Sequence, residues 1–167
     1  MPASYMLLDG YNVIGAVERY RTRNTGGLAE SRELLLADCL KAAGWTGAKI
    51  VVVFDAHRGQ EPEREEYRAG RVLRVIFSAP GHSADDVIER LLGRLDGEAT
   101  VYTGDFALQR TALARGASRA TPREFEKLLD ELPAVTRAPN RIVRSQVRDR
   151  LPKEVVRKLD ELRRAGE

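Results

Sequence analysis

Three candidate strands in this chain each lead into an aspartate: Asp9 follows Leu7-Leu8, Asp55 follows Val53-Phe54, and Asp105 comes just after Tyr102-Thr103. A fourth acid, Asp85, follows Ser83 and Ala84 at what reads as a helix start, with Asp86 beside it as a fifth candidate. A single aspartate after a strand is more often a turn or cap residue, because its short carboxylate suits both roles. Three strand-terminal acids together with a Ser-Ala-Asp-Asp helix start favour a shared site. Carboxylates gathered in one place repel, and a cation that neutralises them removes the cost. An all-oxygen donor set without a histidine or cysteine partner suits Mg2+ or Mn2+ and not zinc. Cations held this way activate water and stabilise the charge that develops on a phosphoryl group.

Other side chains flank these acids. Asn12, three residues after Asp9, can hold Asp9 or a water at the metal through its amide, or can simply shape a turn. Tyr11 can stack on a base or pack within a loop. Thr103 can donate to Asp105 or to a phosphate, although a plain strand residue is the commoner outcome. His57, next to Asp55, is a candidate phosphate contact without the spacing of a metal ligand, and His82 reads as a solvated loop residue. The chain has no Walker A sequence, no Gly-x-Gly-x-x-Gly turn and no Gly-x-Ser-x-Gly elbow. These absences argue against a P-loop NTPase, a dinucleotide enzyme and a serine hydrolase. After Asp9, Gly10-Tyr11 lacks the second acid that an aspartyl-phosphate phosphatase of the haloacid dehalogenase type needs.

The elements that must position the acids can be read from the same sequence. Tyr5 to Leu8 is a short buried strand, and Ile50 to Phe54 a β-branched run without polar alternation, as in a strand covered on both faces. Leu28 to Ala43 carries apolar residues at helical spacing and meets a stop signal at Gly44. Ala56 to Gly70 is charged and turn-rich and reads as a loop, and Val72 to Phe77 is a third strand. Ser83 is the expected N-cap of a helix to Leu95. A strand from Ala99 to Tyr102, a helix to about Arg115 with Gly116 as terminator, and a short strand around Ala117 to Ala120 follow. Thr121-Pro122-Arg123-Glu124 is a capping box with proline at the first helical position, which starts a helix through Leu132. Strands alternating with helices predict a parallel sheet with helices on both faces, and the carboxyl ends of its strands form one ligand-binding edge.

The chain has 167 residues, enough for one well-buried domain and a short appendage, expected as residues 1–132 and 133–167. Hydrophobic residues make up 43% and charged residues 32%, which excludes a disordered chain. The net charge of +3 leans only weakly towards a polyanionic partner. The one cysteine, Cys39, lies in an apolar run and reads as core, not as a redox group. The first residues lack the basic and long apolar regions of a signal peptide, and no apolar run could span a bilayer, so the expected location is cytoplasmic.

Beyond a proline-containing linker, amphipathic helices are expected over about Asn140 to Arg150 and Pro152 to Arg164. Arg137, Arg141, Arg144 and Arg148 recur at spacings of four, three and four. Such a stripe is either an RNA handle with strong salt dependence or the solvated face of an ordinary helix; Asp149 alone opposes it between Arg137 and Arg150, which favours the handle.

Leu7 to Asn12 (Leu-Leu-Asp-Gly-Tyr-Asn), Val52 to Ala56 (Val-Val-Phe-Asp-Ala), Ser83 to Asp85 and Thr103 to Gln109 (Thr-Gly-Asp-Phe-Ala-Leu-Gln) occur in an order that resembles the YacP-like branch of the NYN domains, within the PIN-like nuclease superfamily. The resemblance runs over nearly the whole chain. It implies a PIN-like three-layer α/β/α sandwich with a central, mostly parallel sheet and C-terminal helices. It also implies a divalent-metal endoribonuclease site, leaving a 5′-phosphate and a 3′-hydroxyl. By motif, Asp9, Asp55, Asp85 and Asp105 match the family's acidic positions as metal ligands, and Asp9, Asp85, Asp105 and Asn12 its catalytic set. The best-studied member of the branch is a ribosome-associated mRNA endonuclease, so mRNA and the translating ribosome are implied partners. One departure stands at Gly104, where the family pattern leads us to expect serine. The rival readings are an RNA- or ribosome-binding module with a weak or vestigial site, and a metal-dependent phosphatase acting on a small substrate.

Overall fold

The structure, a computed structural model, describes residues 2–22, 27–56 and 62–133. In chain order these form β1 (Ala3–Asp9), α1 (Gly10–Ala16), α2 (Glu18–Thr22), α3 (Leu28–Thr46), β2 (Lys49–Phe54), β3 (Arg64–Arg68), β4 (Leu73–Phe77), α4 (Ala84–Leu92), β5 (Gly97–Tyr102), α5 (Phe106–Ala114), β6 (Ser118–Ala120) and α6 (Pro122–Glu131). The strands line up as β3-β4-β2-β1-β5-β6. Every pairing is parallel except that of β3 with β4.

Strand periodicity sorts the core into two layers. Met6, Leu8, Ile50, Val52, Phe54, Leu73 and Val75 turn to one face, where Val13, Leu35, Leu36, Cys39 and Phe125 from α1, α3 and α6 cover them. Leu7, Val51, Val53, Ile76 and Val101 turn to the other, against Val87, Ile88, Leu91, Leu108 and Ala112 from α4 and α5. This is the three-layer α/β/α arrangement, and β2 is apolar throughout its last five residues because both of its faces are covered. Cys39 is fully buried in the first layer, as its apolar surroundings predict, and burial pushes its thiol pKa well up.

Several elements differ from expectation. β3 falls inside the segment expected to be a loop; its Arg-Glu-Glu-Tyr-Arg sequence carries no apolar alternation, because it is an edge strand held by charged pairs such as Arg74 with Glu65. α3 runs through Gly44 and stops at Gly47, whose φ of 72° is left-handed and whose N–H donates to Ala43 O at 2.9 Å. α4 ends at Leu92, short of Leu95. α1 and α2 have no counterpart in the sequence-based reading, although Val13, Ile14, Val17 and Tyr20 are all buried at helical spacing. His57, the expected C-terminal helices and Arg137, Arg141, Arg144 and Arg148 lie outside the described residues. Among the described residues no helix is long and apolar enough to cross a membrane.

Candidate active site

β1, β2 and β5 run in the same direction, with Leu8 beside Tyr102 and Asp9 beside Val53. Asp9, Asp55 and Asp105 therefore leave the sheet at its carboxyl edge, and α4 delivers Asp85 to them in its first turn. Gly10 lets α1 begin at the very end of β1: a Cβ there would lie within 2.5 Å of Cδ1 of the buried Phe54 ring. The side chains of Tyr11 and Asn12 are thereby set at the same edge, with the Tyr11 ring tilted against Phe54 at 5.0 Å between centroids.

A single hydroxyl joins two of the acids. Thr103, fully buried, accepts from the Asp105 N–H at 3.1 Å and directs its own proton towards Asp9 Oδ2 at 3.4 Å. The turn around it is held from both sides. Gly104 N–H donates to Asn12 Oδ1 at 2.6 Å, and the buried Gln109 donates through Nε2 to the Thr103 carbonyl at 2.7 Å. Arg119 in turn donates to Gln109 Oε1 at 2.9 Å. Asn12 thus acts on the turn that carries Asp105. Gln109 is a positioning residue that sequence reasoning misses, although a glutamine four residues after an acid on a helix is the available signal.

The five candidate acids separate by how their oxygens are used. Asp105 caps α5, its Oδ1 accepting from Ala107 N–H at 2.7 Å and Leu108 N–H at 3.0 Å. Asp86 forms a reciprocal capping box with Ser83, and the Ser83 backbone and hydroxyl donors hold its carboxyl below the usual range; it is a cap and not a member of the site. Asp9 sits at the N-cap of α1 yet its side chain makes no cap hydrogen bond. Burial raises its pKa most and the charge of Asp85 adds to this, while the nearby Asn12 backbone N–H and Thr103 hydroxyl oppose it. With a smaller push from Asp105, the carboxyl stands at about 6. Asp85 is also raised, by burial first and then by Asp105, Asp86 and Asp55. Asp55 joins the cluster through this effect on Asp85.

The donor set is all oxygen and carries excess negative charge, which fits a hard divalent cation. Among the described residues no three acidic, histidine or cysteine side chains stand ready-made to hold a metal. Beside Asp105, Phe106 exposes 80% of its surface, an apolar ring at the edge of the site that the core does not use.

The sequence of residues 6–164 matches the model of the YacP-like NYN domain, a nuclease-like domain. YacP of Bacillus subtilis strain 168, an uncharacterised protein, is 32% identical over 170 residues, which cover 95% of this chain and 96% of that one. The crystal structure of Rae1 (YacP) from Bacillus subtilis superposes with a TM-score of 0.65 at 27% identity, covering 96% of this chain and 94% of the other. The crystal structure of a mutant of that protein also gives 0.65, at 29% identity over 77% of this chain and 75% of the other. With the fold, the ordered motifs and the acidic edge in agreement, the chain belongs to the YacP-like NYN domain family.

Proposed function

We propose that this chain is a divalent-metal-dependent endoribonuclease that cuts mRNA, with Asp9, Asp85, Asp105 and Asp55 as the residues that hold Mg2+ or Mn2+. The observation that carries the reading is the convergence of these acids on one sheet edge, with Thr103 hydrogen-bonded towards both Asp9 and Asp105. When bound, such a cation would make water a nucleophile near neutral pH and offset charge on the phosphodiester. The chain's own residues do the positioning. Thr103 keeps Asp9 and Asp105 in register, Asn12 and Gln109 fix the turn between them, and capping through Oδ1 leaves the second Asp105 oxygen for a ligand. Tyr11 and Phe106 offer aromatic faces to bases.

A ribosome-bound substrate is supported by the resemblance to this nuclease branch, and the arginine stripe of residues 137–148 supports RNA affinity. The test is cleavage of a labelled mRNA with Mn2+ or Mg2+, with and without translating ribosomes, by wild type and Asp85→Asn. The expected result is metal-dependent cutting to 5′-phosphate ends, reduced at least about a hundredfold in the variant, with RNA binding retained. Equal turnover by both proteins would sink the enzyme reading. Turnover of a generic phosphomonoester without cuts in internally labelled RNA would point to the phosphatase.

A further inference from the structure

α3 runs antiparallel to β2, so its first turns lie at the carboxyl edge of the sheet, where the acids are. Arg32, in its second turn, is half-buried. The other half-buried arginines, Arg19, Arg68 and Arg74, each pair with carboxylates: Asp130, Glu33 and Glu65 respectively. Arg32 has no carboxylate within ion-pair distance among the described residues. Its Nη1 donates instead to the Tyr11 hydroxyl at 2.9 Å, and its guanidinium lies 5.8 Å from the centroid of the Phe77 ring. Tyr11 leans on Phe54, the residue before Asp55, and Phe54 stacks on Phe77 at 5.5 Å. A second guanidinium, that of Arg64, lies 4.4 Å from the same Phe77 centroid. Two cations are thus gathered over one ring beside a cluster of carboxylates, and among the described residues Arg32 is held by a phenol and an aromatic face.

A half-buried guanidinium bears a desolvation cost that a neutral phenol offsets only in part. Its remaining N–H donors have the planar geometry that matches phosphate oxygens. We propose that Arg32 is an anchor for an RNA phosphate beside the one that is cut, held in place by Tyr11 and Phe77. It fixes the strand on the β2–β4 side of the acids. This assignment rests on the endoribonuclease reading and adds to it a residue outside the acidic motifs.

The test uses the full chain carrying Asp85→Asn, so that binding is read without cleavage, and an unstructured oligoribonucleotide as probe. Adding Arg32→Gln should weaken Kd about tenfold, as expected for one lost charge-assisted contact. It should also flatten the plot of log K against log salt by about 0.7, the share of one phosphate on a single strand. Arg32→Lys, which keeps charge and stem, should recover most of the salt slope and only part of the affinity. In the cleaving protein, Arg32→Gln should raise KM and leave kcat within a few-fold. A folded Arg32→Gln protein with unchanged Kd, salt slope and KM, beside a wild type that cuts RNA, would refute the anchor and leave the nuclease standing. A wild type that neither binds nor cuts RNA would overturn both.

Discussion

Replacing Asp9 with asparagine should make the metal-free protein more stable above pH 6, although it removes a residue that the site needs. The folded state raises the Asp9 carboxyl from its ordinary 3.8 to about 6, chiefly by burial and by the charge of Asp85. The unfolded chain therefore gives up this proton at lower pH than the folded one. The stability that Asp9 contributes as a neutral acid is complete below about 3.8, falls as pH rises, and is gone above about 6. At about 1.4 kcal/mol per pH unit, the interval from 3.8 to about 6 amounts to about 3 kcal/mol of folding free energy lost on ionisation. Asparagine carries no charge to desolvate, relieves Asp85, and keeps an oxygen for the long Thr103 hydrogen bond. The expected gain at pH 8 is therefore about 2–3 kcal/mol. Urea unfolding followed by circular dichroism, in EDTA at pH 3.5 and pH 8, reads this directly. The two proteins should differ little at pH 3.5 and clearly at pH 8. Added Mn2+ should stabilise wild type and do much less for the variant. Asp9→Asn that is less stable than wild type at pH 8 without metal, or a difference independent of pH, would refute the claim that this carboxylate is held at a cost.

Two further substitutions probe how the acids are placed. Gly10→Ala puts a methyl against the Phe54 ring, which is fully buried and has nowhere to go; it should lower stability by about 2 kcal/mol and reduce cleavage, measured by urea midpoint and turnover. Gly104→Ser restores the hydroxyl expected from the family pattern. Its Cβ would stand 3.2 Å from Asn12 Oδ1, so the amide must shift slightly, and stability should change by less than about 1 kcal/mol while turnover rises. A fall in turnover at unchanged stability would instead show that the Gly104–Asn12 hydrogen bond matters more than the missing hydroxyl.

The parallel sheet and the capped helices were legible because their signals are local. A buried β-branched run such as Ile50 to Phe54 has few alternatives, and Thr121 with Glu124 marks a helix start in four residues. α1 was harder to see: it has seven residues, begins on a glycine, and packs against Phe54, which lies more than forty residues beyond that glycine in sequence. β3 was hidden for the opposite reason, since an exposed edge strand needs charges and not apolar alternation. In the site, most of the acids were visible as residues after strands, but which of them cap helices was not. Asp85 and Asp86 are adjacent and chemically identical in sequence. Only the reciprocal hydrogen bonds with Ser83 take Asp86 out of the cluster. Arg32 had no sequence signal at all, because what distinguishes it is the lack, among the described residues, of the carboxylate partner that its half-buried counterparts have.

That division bears on how the site works. Asp105 gives one oxygen to two backbone N–H groups, so its carboxylate is oriented before any ligand arrives. Asp9 has a long contact from Thr103 and accepts no cap hydrogen bond, so its orientation is looser and its charge is poorly compensated. A cation entering between them would gain a fixed ligand from Asp105 and relieve the unfavourable charge on Asp9. On the proposed reading, a cation held by Asp9 and Asp85, both with raised pKa values, would displace protons from them as the pH falls. The Thr103 hydroxyl couples the two halves: it is oriented by the same Asp105 N–H that adjoins the α5 cap, and it points at the acid that most needs a partner. A fold selected for stability alone would have filled the Asp9 position with a neutral residue, as Asp9→Asn tests. A partly buried acid with a raised pKa beside a capped one is what the proposed cation site requires.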